Sequence, residues 1–419
     1  MPMLRIAVPV VLAELGWMTM GVVDTVMVGS LGPEAISAAG VGNAMHIAFT
    51  IFGMAVMLGL DTLVSQAYGA RDLDDCHRWF FDGLTLAGLL AVPIMGLLAL
   101  IWFALPAMGF HEAVRPLLEA YFGVLILSTP FLLAYAVCRR YLQAMHAVTP
   151  VMFALVTANL INAAGNWLLV YGHLGLPALG VRGSAWATVI SRAYLLGALL
   201  LAVWWIDKRR ARAVLPTGLP GVAVAAAGLW HVDRTWNPAR LRRLLALGLP
   251  AASQVGAEVG VFALATALSG TLDPISSASH QIALNLAGVA FMVPLGLGSA
   301  GAVRVGHAVG ARDPARAAAA GWTAILLAAG FMIVAALIFV SVPGRLIALF
   351  TTDPNVLSVG TSLLLLAAVF QLFDGMQGVI TGTLRGIGDT RTPMIVNLIA
   401  HWLIGLPTGY LLCFVFGWG

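Results

Sequence analysis

Eleven apolar runs of roughly twenty residues or more, separated by short polar breaks, set the pattern of this chain. A helix rises about 1.5 Å per residue and the hydrocarbon core of a bilayer is about 30 Å thick, so each run is long enough to cross it. The pattern predicts membrane helices near residues 3–28, 38–62, 80–104, 117–138, 151–171, 183–205, 244–269, 278–302, 320–342, 359–384 and 394–416. The segment 213–230 (AVLPTGLPGVAVAAAGLW) is also apolar, but its prolines and glycines predict a loop that touches the membrane.

Composition agrees with the pattern. The chain has 419 residues, is 60% hydrophobic and only 10% charged, with a mean hydropathy of +0.95. A soluble domain carries about 25% charged residues, so this chain could not cover a water-facing surface of its own size. A net charge of +4, scattered along the chain, gives no footprint for nucleic acid. Cys76, Cys138 and Cys413 lie far apart without metal-ligand spacing and are read as free thiols. The first apolar run is full length and has no small-residue cleavage site, so no cleavable signal peptide is expected.

Arginine and lysine set the expected orientation. They crowd the segments between helices 2–3, 4–5, 6–7, 8–9 and 10–11, among them Arg71, Arg78, Arg139, Arg140, Lys208, Arg240, Arg304, Arg312 and Arg385. The opposite loops hold Arg115, Arg182 and Arg345. The N-terminus is therefore expected in the cytoplasm, and counting 213–230 as a span would spoil the pattern.

The halves repeat. Gly29-Ser-Leu-Gly-Pro33 recurs as Gly270-Thr-Leu-Asp-Pro274, and Gly69-Ala-Arg-Asp72 as Gly310-Ala-Arg-Asp313, both at an offset of 241. Leu142 and Pro150 recur as Leu384 and Pro393 at offsets of 242 and 243. Duplication of a six-span unit is implied, with both copies entering the membrane from the same side. The expected organisation is an N-terminal six-helix lobe over 1–205, a basic cytoplasmic linker over 206–240 and a C-terminal five-helix lobe over 241–419. The sixth span of the first half should recur near 424–446, but the chain stops at Gly419, so truncation or loss of the twelfth helix is expected.

Among the acids within the apolar runs, Glu14, Asp24, Asp61, Glu258 and Asp374 stand out. A carboxylate at a helix centre costs about 2.5–3.5 kcal/mol on insertion scales, and such groups tend to mark ion or substrate paths. Glu14 is placed for snorkelling or a local pair, and Asp61 for a solvated cap. Asn159, Asn162 and Asn166 lie on one helix, the last two on one face. Their amides suit either a hard cation such as Na+ or hydrogen bonds between helices. Thr188, on the sixth helix, is a weak signal alone. The repeat maps Asp24 to Ala265, Glu258 to Trp17 and Asp374 to Leu132, so the fold is duplicated but its charges are not.

The stretches VDTVMVG at 23–29, SQAYG at 65–69, Pro150 with Asn162–Asn166, and SHQIALNLAGVAFMVPLGLGSAGAVRVGHAVG at 279–310 resemble the multidrug and toxic compound extrusion (MATE) transporters, specifically their NorM-like bacterial branch. The resemblance covers essentially the whole chain. It implies an all-α polytopic fold of two pseudo-symmetric helical bundles around a V-shaped cavity, with eleven spans present of twelve. It also implies a monomer in the bacterial inner membrane, exchanging external Na+ or H+ for cationic amphipathic drugs by antiport. No cofactor is implied beyond the transported ion, and the partners are drugs and lipids. Asp24 falls on the family's first-helix aspartate, Asn162 and Asn166 on its paired helix-5 ligands, and Thr188 on a helix-6 ligand. Glu258 and Asp374 fall on its second-lobe acidic pair. His401 stands where relatives often have tyrosine. A flippase of lipid-linked precursors from a related two-bundle class is the alternative, but it would need an arginine-rich cavity. Arg192 is the one arginine read deep within a span. An enzyme would need a catalytic set such as GxSxG or HExxH, which the spans lack.

Overall fold

The computed structural model of the protein describes residues 2–213, 228–229, 231–235 and 237–417. Among these residues there is no strand, and eleven helices are long and apolar enough to cross a membrane. They are α1 (Met3–Gly29), α2 (Pro33–Gly69), α3 (Leu73–Ala107), α4 (Arg115–Ala144), α5 (Thr149–Tyr171) and α6 (Val181–Arg210). The second half supplies α7 (Pro238–Ser269), α8 (Pro274–Gly310), α9 (Pro314–Ser341), α10 (Pro354–Ile387) and α11 (Arg391–Val415). Most of the segment 213–230, read as a membrane-touching loop, lies outside the described residues.

Several helices outrun their apolar stretches. α3 begins at Leu73 rather than near residue 80, because Asp72 caps it by accepting a hydrogen bond from the Asp75 backbone N–H at 2.8 Å. α4 runs on to Ala144 and α7 begins at Pro238. Several polar side chains in these added turns find protein partners. Arg240 donates to Asp75 at 2.6 Å and to Asp82 at 2.5 Å, and Trp79 Nε1 donates to Asp75 at 2.9 Å. Hydropathy measures the lipid-compatible length, while helix length is set by where the last backbone groups find partners.

The repeat is visible in turn geometry. α2 ends with Arg71 in the left-handed region (φ 62°), the Asp72 N–H bonding back to Ala67 O at 3.0 Å. α8 ends with Arg312 at φ 58° and the Asp313 N–H on Ala308 O at 2.9 Å. Both are Schellman closures, and Asp313 then caps α9 through the Arg316 N–H at 2.9 Å, as Asp72 caps α3. After α4, His146 (φ 60°) with Ala147 N–H on Leu142 O matches Gly388 (φ 102°) with Asp389 N–H on Leu384 O after α10. Asp389, outside the membrane helices, accepts from the Thr392 N–H, and this holds its carboxyl below the usual range.

The chain divides into two compact units, Leu12–Gly248 and Met1–Val11 with Leu249–Gly419. In the first, α1, α2, α4 and α6 share a core that includes Val28, Ala39, Tyr121, Leu125 and Ala185. In the second, α8 and α10 cross at small residues. A methyl group on Gly382 would lie 2.3 Å from Gly298 O, and one on Gly386 2.5 Å from Ala302 O. Lipid is as apolar as leucine, so close backbone packing rather than hydrophobicity holds membrane helices together.

Gly382→Val should therefore destabilise the protein by about 3 kcal/mol, read as a lower melting temperature in detergent. Gly330→Val, at a position with no neighbour within 4 Å of a new methyl, should be near neutral.

Candidate functional site

α5 and α6 form the frame of the site. They approach so closely that a methyl on Gly183 would meet Leu169 O at 2.4 Å, and one on Gly165 would meet the Ala187 methyl at 3.0 Å. Gly172, at φ 75°, ends α5 in the left-handed conformation that glycine adopts without penalty. This packing sets Asn162 and Asn166 of α5 beside Thr188 of α6, and Asp24 of α1 inserts between them.

Asn166 Nδ2 donates to Asp24 Oδ1 at 2.8 Å, and Thr188 Oγ1 donates to Asp24 Oδ2 at 2.9 Å. The same Asn166 nitrogen reaches Asn162 O at 3.0 Å and Asn162 Oδ1 at 3.3 Å. Asp24 is 8% exposed, Thr188 2%, and both asparagines 0%, so the carboxylate is set in protein rather than in water. Asn166 Oδ1, Asn162 Nδ2 and Ser184 Oγ are buried without hydrogen-bond partners. Among the described residues no ion pair includes Asp24. The cluster is thus rich in oxygen and short of positive charge at bonding distance, which is the donor set a hard cation takes. Tyr171 OH donates to Met27 O at 2.7 Å and joins the ends of α1 and α5 beside the cluster.

Asn159 is not brought to Asp24. Its Nδ2 donates to Gly16 O and Leu155 O, both at 2.9 Å, so it ties α5 to an earlier turn of α1.

Glu258 of α7 and Asp374 of α10, both half-buried, lie within electrostatic reach of one another. α11 brings Asn397 beside Glu258 and His401 beside Asp374. His401 Nδ1 lies 3.2 Å from Asn397 O, where α11 widens into a π-helical stretch over Ile399–Gly405. Such widenings gather at functional positions. Gln371, one turn before Asp374, is 1% exposed with both amide atoms unpartnered. Sequence reasoning did not single out Asn397 or Gln371. The available signal was a lone amide within an apolar run, at helical spacing from an acid or from His401.

Two other acids belong to ion pairs. Glu14 pairs with Arg139 of α4, and both side chains are buried. Asp61, expected as a solvated cap, is instead 1% exposed and faces Arg140 at 3.4 Å. The correction has one cause: α4 continues past residue 138, so two arginines placed in a loop lie on a helix inside the unit. Arg192 is accordingly not the one buried arginine, since Arg139 is 4% exposed as well.

The fold and its eleven spans define a multi-pass, all-α membrane protein. Residues 9–168 and 250–411 match the MatE family model, and the chain belongs to that family. It is 36% identical over 424 residues to the probable multidrug resistance protein NorM of Mesorhizobium japonicum, covering 99% of this chain and 87% of the relative. It is 33% identical over 415 residues to the multidrug resistance protein PmpM of Pseudomonas aeruginosa, covering 98% of this chain and 83% of the relative. Among solved structures, a MATE in the bent conformation superposes with a TM-score of 0.85 at 20% identity, covering 99% of this chain and 88% of that one. The eukaryotic MATE transporter AtDTX14 gives 0.84 at 22% identity with the same coverage.

Removing the Glu14 carboxylate leaves Arg139 as an uncompensated buried charge. Glu14→Gln should cost about 3 kcal/mol in melting experiments, and adding Arg139→Gln should restore most of the loss.

Proposed function

We propose that this MatE-family multidrug transporter is an antiporter that exports cationic amphipathic compounds in exchange for external Na+ or H+, with Asp24 as the ion-coupling group. The observation that carries the reading is a buried carboxylate held by Asn166 and Thr188, with no basic side chain at bonding distance among the described residues. The relatives are named multidrug resistance proteins, which supports small-molecule drugs as the cargo.

In the arrangement described, Asn166 gives Asp24 an N–H. Turning that amide end for end presents Oδ1 instead, so the same side chain would serve the empty carboxylate as a donor and a bound Na+ as a ligand. A proton would act on the same oxygens by removing the charge outright. Either ion lifts a burial cost of about 3 kcal/mol, and a difference of that size between two conformations shifts their populations about 100-fold. One carboxylate that is dry in one state and wet in another is therefore enough to bias a transport cycle. Glu258 and Asp374, with Asn397 and His401, are proposed as a second cation-coupling group.

The proposed setting is a monomer in the bacterial inner membrane with its N-terminus in the cytoplasm, no cofactor, and lipid around the apolar helix faces. The flippase alternative needs free arginines for a pyrophosphate. Arg139 and Arg192 are instead bonded to protein groups, Glu14 and Ser128.

In vesicles with Na+ and pH gradients imposed separately, one gradient should drive dye export by the wild type, and Asp24→Asn should abolish the driven component. Thr188→Val should weaken it about tenfold, the worth of one hydrogen bond to a charged group. Full driven efflux by Asp24→Asn would refute the assignment.

A further inference from the structure

The mechanism above leaves the buried Arg192 unused. Arg192 lies four residues after Thr188 on α6, so the two side chains share a face one turn apart. It is 4% exposed. Its Nη1 donates to Ser128 Oγ at 2.6 Å and lies 3.5 Å from His46 Nδ1. His46, itself fully buried, has Nε2 3.2 Å from Thr129 Oγ1 and 3.5 Å from Ser128 Oγ. The Trp17 ring of α1 lies 6.0 Å from the guanidinium carbon. Three helices thus converge to fix one cation: α2 through His46, α4 through Ser128 and Thr129, and α1 through Trp17.

Every partner in this cradle is neutral or polar. Among the described residues no ion pair includes Arg192, and its Nε is buried without a hydrogen-bond partner. A guanidinium does not shed its proton to escape burial, so its charge must be balanced through space. The carboxylate in its electrostatic surroundings is Asp24. The contrast with Arg139 is direct: that arginine sits on its acid, Glu14, whereas Arg192 is held near its acid by three other helices and kept off it.

We propose that Arg192 is a tethered counter-cation of the Asp24 site, which balances the empty carboxylate through space and thereby lowers the site's affinity for the transported cation. His46, Ser128 and Thr129 act as positioning residues that keep it from closing onto Asp24. This inference rests on the reading of Asp24 as the ion-coupling group. A bound cation then finds one positive charge already in place. A unit charge one to two helical turns away, at an effective dielectric of about 20, changes cation affinity by about tenfold or more. The consequence is an ion that binds weakly enough to leave.

The test is calorimetric titration of Na+ into detergent-purified full-length protein, with choline as the balancing cation, alongside melting curves. Arg192→Gln should bind Na+ about tenfold more tightly than wild type. Arg192→Lys, which keeps the charge, should stay within about threefold of wild type. All titrations are made in a Glu258→Gln/Asp374→Asn background, which silences the second proposed group, and there Asp24→Asn should bind no Na+. Unchanged affinity in Arg192→Gln, with binding still lost in Asp24→Asn, overturns this inference and leaves the ion-site reading intact. Na+ binding by Asp24→Asn at wild-type affinity overturns the ion-site reading itself.

Melting gives a second readout that does not depend on which ion is transported. Asp24→Asn strands the buried guanidinium and should lower the melting temperature, and adding Arg192→Gln should recover it. Additive losses in the double variant would show that the two groups are not coupled. The same comparison serves if Arg192→Gln alone fails to fold, because the double variant should then fold, and its failure to do so overturns the proposal.

Discussion

A polar group inside hydrocarbon has no water to turn to, so it must find its partner in protein or bear the full cost of isolation. That constraint organises this molecule. It requires helices, because only they satisfy the backbone within a single segment. It also explains why so few charged side chains are used within the spans and why several of them are paired. Glu14 sits on Arg139, Asp61 faces Arg140, and Asp75 and Asp82 share Arg240. Asp24 stands out against this background because its partners are an amide and a hydroxyl.

The two halves divide structure from chemistry. Their turns match in detail: Arg71 and Arg312 take the same left-handed conformation, and Asp72 and Asp313 cap the next helix in the same way. Their acids do not match. The first unit gathers an aspartate, two asparagines and a threonine from α1, α5 and α6. The second gathers a glutamate and an aspartate with an asparagine and a histidine from α7, α10 and α11. What the backbone needs is the same in both halves, and the charges are not.

The same division accounts for what could be read before any coordinates. Spans were legible because hydropathy records contact with lipid, and the repeat because turn residues answer to local backbone geometry. Asp24, Asn162 and Asn166 could be proposed one by one from their cost and spacing, and Thr188 only through the family resemblance. Their meeting at one carboxylate depends on Gly165 and Gly183, whose role is defined only by the neighbouring helix. The misreading of Asp61 had a similar origin. A window that stops where hydropathy falls leaves Arg139 and Arg140 in a loop, whereas α4 carries them onward beside Asp61 and Glu14. Asn397 was overlooked for a related reason, since a lone amide gains significance only from the acid that another helix sets beside it.

The close approach of α5 and α6 also decides what can slide. Those two helices meet backbone to backbone at Gly183 and Leu169, a steric fit that tolerates no gradual shear. Against this pair α1 is fastened by side-chain hydrogen bonds from Asn159, Asn166, Tyr171 and Thr188, which can be exchanged one at a time. The exchangeable seam between α1 and the α5–α6 pair therefore runs along these side-chain bonds. On the proposed reading, an ion that competes for Asp24 would loosen that fastening at its tip while α5 and α6 stay together.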